Sequence, residues 1–132
     1  MSTTVLDASV LGPWFWSTSD PTSDALLRDF QAGRLVVHVP RFLFLEVLNV
    51  TGRQLRWKEG LLEELVDRMQ RSRLQVEDPE LSLVARWVSR GLTAYDASYV
   101  ALAVQLGVPL VTVDRAILDV AGEIAIRPER FS

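Results

Sequence analysis

No cysteine occurs in the 132 residues. A disulfide framework and a thiolate metal site are therefore excluded. Histidine occurs once, as His38 inside the apolar run "RLVVHV", where a satisfied strand residue is a simpler reading than a zinc ligand. Lysine is also single: Lys58 is the exception among 14 basic residues, and the rest are arginines. Arginine pairs bidentately with phosphate, but codon bias produces the same excess, so composition assigns no site. No apolar run is long enough to span a membrane. The start, "MSTTVLDASV", has neither the basic residues nor the long apolar region of a signal peptide. Repeats, low-complexity tracts and Gly/Ser linkers are missing too. The expectation is one soluble, cytoplasmic domain over residues 1–132, with 48% hydrophobic residues to build its core.

Missing motifs narrow the chemistry. No glycine-rich turn follows the first β-branched run, so a dinucleotide-binding domain is not expected. Asp7 has no acidic neighbour and no lysine follows the last strand-like run, which argues against a phosphorylated receiver domain. Two residues after Asp7 stands Ser9, where a haloacid-dehalogenase-like phosphatase needs an acid. The net charge of −3 argues against a protein that coats nucleic acid. It leaves a nuclease open, because carboxylates at a metal site themselves depress the charge.

The chain alternates strand and helix signals. "TTVLD", "RLVVHV", "LQVED", "LVTVD" and "IAI" read as strands. Helices are expected from Thr22 to Ala32, from Pro40 through "RFLFLEVLNVTGRQLRW", and over "KEGLLEELVDRMQRSR". In the third, Leu61, Leu62, Leu65, Val66 and Met69 share one face, and Glu64–Arg68 and Asp67–Arg71 are i,i+4 pairs on the other. A fourth is expected to start with Asp78 as cap and Pro79 as first residue, and to close at Gly91. A fifth runs from Ala94 to Leu106 and ends at Gly107, and "RAILDVAG" is a short sixth. In "SVLGPWFW", Gly12 and Pro13 predict an early break with Pro13 opening a new turn. This alternation implies an α/β fold, with a central, mostly parallel sheet of about five strands and helices on both faces. The functional crevice of such a sheet lies beyond the carboxyl ends of its strands. Asp7 and Asp114 both fall there.

Two further acids interrupt apolar helices. Asp96 lies in "LTAYDASYVALA", where Thr93 and Asp96 also fit a capping box, with Asp96 reaching back to the Thr93 backbone N–H. Glu46 lies in "FLFLEVLNV", too far from the helix start to cap it, with Asn49 on the same face. No basic residue stands three or four positions from Glu46, and buried charges need partners. Two carboxylates about 5 Å apart repel by roughly 3 kcal/mol at an effective dielectric near 20. A divalent cation is the economical partner for four acids, and carboxylate oxygens suit Mg²⁺ or Mn²⁺. Acidic sites of this kind serve phosphate chemistry.

In order and spacing, "VLDASVL", "LEVLNV", "LTAYDASYVALA" and "LVTVDRAIL" resemble the four acidic motifs of PIN-domain ribonucleases, most of all the VapC-type toxins of VapBC toxin–antitoxin pairs. The resemblance covers the whole chain. It implies a single PIN domain, a three-layer α/β/α fold, and Asp7, Glu46, Asp96 and Asp114 as the catalytic, metal-binding acids. Ser9, Asn49 and Thr112 match accessory positions that support the site. It further implies an RNA substrate, a cognate antitoxin protein, and a homodimer that forms a hetero-oligomer with that antitoxin. The segment after the first acid departs from the family, which often runs an unbroken helix with a basic residue there. The apolar residues Leu11, Trp14, Phe15 and Trp16 suit a core or a partner interface better than base stacking, and an antitoxin helix could lie near them. The alternative is a catalytically inert PIN-like module that binds protein or RNA. Retention of all four acids favours the enzyme, because unpaired buried acids are costly unless used.

Overall fold

Strand β1 (Ser2–Leu6) occupies the middle of a parallel sheet. The computed structural model describes residues 1–16 and 20–131, and among these the sheet has five strands in the order β3-β2-β1-β4-β5. The others are β2 (Leu35–Val39), β3 (Gln75–Val76), β4 (Leu110–Val111) and β5 (Ala125–Ile126). Every pairing is parallel. Val5 and Leu6 point to opposite faces, and both are fully buried. The sheet is therefore covered on both sides, as a parallel sheet requires. β4 and β5 are shorter than the expected runs.

The covering helices are α1 (Ala8–Leu11), α2 (Pro21–Gln31), α3 (Leu43–Asn49), α4 (Glu59–Arg71), α5 (Leu81–Ser89), α6 (Ala94–Leu106) and α7 (Arg115–Val120). Among the described residues, no helix is long and apolar enough to cross a membrane. α6 is buried through Ala97 and from Tyr99 to Ala103, and packs on β1, β4 and α5. Gly107 ends it at φ +69°, a left-handed cap that a side chain would strain. The break after α1 is as expected: a tight turn over Gly12–Trp14 has Pro13 in its first positions.

Three expectations are corrected. The helix after Pro40 is not continuous to Trp57. After α3 the chain widens over Val50–Gln54, where Leu55 N–H bonds Val50 O five residues back. Thr51 anchors that widened turn. Its hydroxyl donates to Val47 O (2.6 Å), a back-bond that disturbs a regular helix, and accepts from the Trp16 indole (2.7 Å). Asp78 does not cap α5. Its carboxylate accepts from Arg41 N–H (3.0 Å), so the helix starts later, at Leu81. On α4, Leu61 is exposed, and only one of the two i,i+4 pairs forms, Asp67–Arg71. Arg68 instead lies over the Phe15 ring and donates to Phe15 O.

Candidate active site

The sheet order reverses between β1 and β4, because the chain builds outward from β1 to β3 and then returns to β1's other side. Side-by-side carboxyl ends at such a switch leave a crevice. The register pairs Leu6 with Val111, so the next residues, Asp7 and Thr112, meet. Thr112 Oγ1 donates to Asp7 Oδ2 at 2.5 Å and accepts from Asp114 N–H at 2.9 Å. Ser9 Oγ donates to the other oxygen, Asp7 Oδ1, at 2.6 Å and accepts from Val113 N–H at 3.2 Å. Each hydroxyl is thus oriented by the loop after β4 and spends its proton on Asp7. Asp7 is only 4% exposed. Burial first, with Asp114 and Glu46 adding to it, raises its pKa to about 6 against the two hydrogen bonds.

Glu46 reaches the same end of the sheet from α3. Tyr99, on α6, donates its phenol proton to Glu46 Oε1 at 2.6 Å. Sequence reading misses Tyr99, since an apolar-helix tyrosine is an ordinary core residue. Asp96 lies three positions earlier on the same helix, one turn away. Asp114 caps α7 with Oδ1, which accepts from Ile117 N–H at 2.9 Å. The expected capping box at Asp96 is half formed: Thr93 Oγ1 accepts from Asp96 N–H (3.1 Å), while the reciprocal bond to Thr93 N–H is not made.

The four acids feel one another. Burial first, then Asp96 and Asp114, hold the Glu46 pKa above its ordinary value. Burial first, then Asp114, does the same to Asp96. Asp114 thus repels all three others, and no basic group is among the causes of these shifts. Among the described residues, no three His, Cys, Asp or Glu side chains are already gathered into a closed ligand set. The donor chemistry still fits a hard divalent cation: oxygen donors only, carried on four separate segments, in a pocket of mutual repulsion. Asn49 is exposed beside Glu46, and both line an open groove with Phe42, Thr93, Tyr95 and Asp96. A second hollow, between α3, α4 and β3, is lined by Phe44, Leu48, Val66, Met69 and Leu74 and holds none of the acids.

The structure brings Asp7, Ser9, Thr112 and Asp114 into one hydrogen-bonded group, and sets Glu46, Asn49 and Asp96 along the adjoining groove. It does not leave Leu11, Trp14, Phe15 and Trp16 as an exposed patch. Leu11 and Phe15 are buried in the core, and Trp14 and Trp16 are half-buried against it. Both indole N–H groups are satisfied internally, Trp14 by Ser23 O and Trp16 by Thr51. Leu11 and Phe15 are thus turned into the chain, while Trp14 and Trp16 keep part of their surface exposed. His38 is likewise satisfied, by Glu77 at 3.0 Å.

Residues 4–123 match the family model of the PIN domain. No curated protein sequence matches the chain. Similar solved structures include the following three. PAE2754 from Pyrobaculum aerophilum is 27% identical, with a TM-score of 0.68 over 97% of this chain and 90% of that one. FitAcB from Neisseria gonorrhoeae is 18% identical, with a TM-score of 0.72 over 97% and 99%. VapC20 from Mycobacterium tuberculosis, described as a toxin that cleaves the sarcin–ricin loop, is 15% identical, with a TM-score of 0.68 over 91% and 94%. At these last two identities the likeness is one of fold.

Proposed function

This chain belongs to the PIN-domain family, and from that premise we propose that it is a Mg²⁺- or Mn²⁺-dependent endoribonuclease. One observation carries the reading. Asp7, Glu46, Asp96 and Asp114 come from four segments, the Asp114 charge acts on each of the other three, and no basic group offsets it there. Asp7, Glu46, Asp96 and Asp114 would hold the cation. Bound there, it supplies a water of lowered pKa and stabilises charge on the phosphodiester oxygens. The chain's own groups prepare this. Ser9 and Thr112 hold both oxygens of Asp7 without neutralising it. Tyr99 holds one oxygen of Glu46. The Asn49 amide, exposed beside Glu46, is placed to hydrogen-bond an RNA phosphate or ribose.

The biological role that fits is a toxin of a toxin–antitoxin pair, acting in the cytoplasm, dimeric with itself and neutralised in a hetero-oligomer with a cognate antitoxin. The likeness in fold and length to VapC20 supports it. The second reading is an inert PIN-like binding module, favoured by the acids not closing into a ligand set on their own. Incubation of the purified protein with total RNA decides between them. Cleavage should require Mg²⁺ or Mn²⁺, stop in EDTA, and vanish in Asp7→Asn. Undiminished cleavage in EDTA would sink the metal-dependent reading. No cleavage of any RNA in either metal would leave the binding module.

A further inference from the structure

Tyr99 is 1% exposed and stands in the most apolar stretch of α6, beside Val100, Ala101, Leu102 and Ala103. Phenylalanine would fill that space equally well. The hydroxyl is a buried polar group, and such groups cost stability unless partnered. Its partner is a carboxylate oxygen, Glu46 Oε1, at 2.6 Å and 53 residues away in sequence. Bonds of this short, charge-assisted type are stronger than neutral ones. The Phe42 ring packs edge-on against Tyr99 at 5.1 Å and holds it in place.

We propose that Tyr99 is a positioning residue of the active site: it ties down one oxygen of Glu46 and leaves the other, Oε2, to the groove. This rests on the reading of the acids as a metal-holding nuclease site. The phenol is confined to donating, because burial and the neighbouring Glu46 push its pKa up, out of any physiological range. Among the described residues, Oε2 has no hydrogen bond of its own, and Glu46 lines the open groove. A glutamate on a helix face has three side-chain torsions to settle, and among the described residues no arginine or lysine is paired with this one. A basic partner would fix the carboxylate and also cancel its charge. A neutral O–H fixes it and leaves the charge for a cation. Asp7 is treated the same way, by Ser9 and Thr112. α6 therefore contributes twice, with Asp96 directly and with Tyr99 through Glu46.

The test is a four-protein set: wild type, Tyr99→Phe, Glu46→Ala and the double variant. Mn²⁺ binding to the metal-free protein is titrated calorimetrically, and kcat and KM are measured on an RNA oligonucleotide. Tyr99→Phe should weaken Mn²⁺ binding and lower kcat by about 10–100-fold, the usual effect of removing an outer hydrogen bond to a ligand, with KM for RNA little changed. In the Glu46→Ala background the same substitution should change Mn²⁺ binding hardly at all, since the oxygen that Tyr99 holds is gone. Wild-type Mn²⁺ affinity in Tyr99→Phe, or an equal loss in both backgrounds, overturns the proposal and leaves Tyr99 as core. Should Tyr99→Phe not fold, proton NMR of the other proteins decides. A slowly exchanging phenolic proton present in wild type must be lost in Glu46→Ala, and its persistence overturns the proposal. Wild type that binds Mn²⁺ without cutting RNA ends the nuclease reading but not the role of Tyr99. Wild type that binds no Mn²⁺ ends both.

Discussion

Thr112 Oγ1 donates to Asp7 Oδ2 at 2.5 Å, although 105 residues separate the two in the chain. The β1–β4 register makes them neighbours. The same hydroxyl accepts from Asp114 N–H, so the Thr112 side chain couples two acids from opposite ends of the sequence. Thr112→Val keeps the branched shape and removes the hydroxyl. It should cost about 1–3 kcal/mol, the penalty for stranding buried hydrogen-bonding groups. It should also raise the Asp7 pKa beyond about 6, because the lost bond is one of those that lower it. On the proposed reading cleavage needs the ionised carboxylate, so the acid limb of the kcat/KM profile should move to higher pH. An unmoved limb would show that Asp7 is not the group titrating there.

Asp7 also makes a prediction for the metal-free fold. Its pKa is raised from 3.8 to about 6 on folding. Below about pH 4 both states hold the proton and its effect on stability is complete. As pH rises from 4 through 6 the unfolded chain releases the proton first, so the folded state loses stability, by about 3 kcal/mol at most. Glu46 and Asp96 are raised too and push in the same direction. In EDTA, urea denaturation should give a lower midpoint at pH 7.5 than at pH 4.5. Asp7→Asn should flatten this dependence, and Mg²⁺ should restore the wild type at pH 7.5 by binding the folded state alone. A midpoint that rises with pH in EDTA would contradict the shift.

At Asp114 two roles sit on one side chain. Oδ1 caps α7 through Ile117 N–H, while the carboxylate's charge acts on Asp7, Glu46 and Asp96. Asparagine caps helices as well as aspartate does, and alanine does not. In EDTA at pH 7.5 Asp114→Asn should therefore keep the cap, melt no lower than wild type because repulsion is relieved, and cut RNA poorly with metal. Asp114→Ala should lose activity and also be about 0.5–2 kcal/mol less stable than Asp114→Asn, the cap being gone. Equal activity in wild type and Asp114→Asn would reduce this acid to a cap.

The acids were legible in the sequence as anomalies. A lone Glu46 or Asp96 in an apolar helix asks for a partner, and Asp7 and Asp114 stand where strand-like runs stop. Parallel sheet and strand number follow from the alternation of short β-branched runs with longer amphipathic ones. Tyr99 was not legible, because its bond to Glu46 is set by the packing of α6 against α3, and tyrosine looks native in either a core or a site. The widened turn after α3 depends on Trp16 meeting Thr51 across 35 residues, which no local pattern records. The same holds for the aromatic segment. Leu11 to Trp16 reads equally as interface or core until Ser23 O and Thr51 are seen to receive its two indoles.

Asp96 shows where a local rule and a site overlap without competing. The cap bond runs from the Asp96 backbone N–H to Thr93 Oγ1, so it uses the Thr93 side chain and only the main chain of Asp96. Thr93→Ala should cost about 0.5–2 kcal/mol and leave the chemistry intact. Asp96→Asn should leave the cap intact and change the electrostatics. Burial first, and Asp114 next, hold the Asp96 pKa above its ordinary value, so its ionised form is disfavoured in the folded state. Without metal, Asp96→Asn should then be more stable than wild type at pH 7.5. The advantage should disappear towards pH 4, where the wild-type carboxyl takes up its proton and the repulsion ends. Mg²⁺ should reverse the order at pH 7.5, because it binds the wild-type acids more tightly than the variant's. Thermal melting of both proteins at the two pH values, in EDTA and in Mg²⁺, measures all of this. If Asp96→Asn melts lower in EDTA and Mg²⁺ shifts both proteins equally, then the carboxylate serves only its own helix.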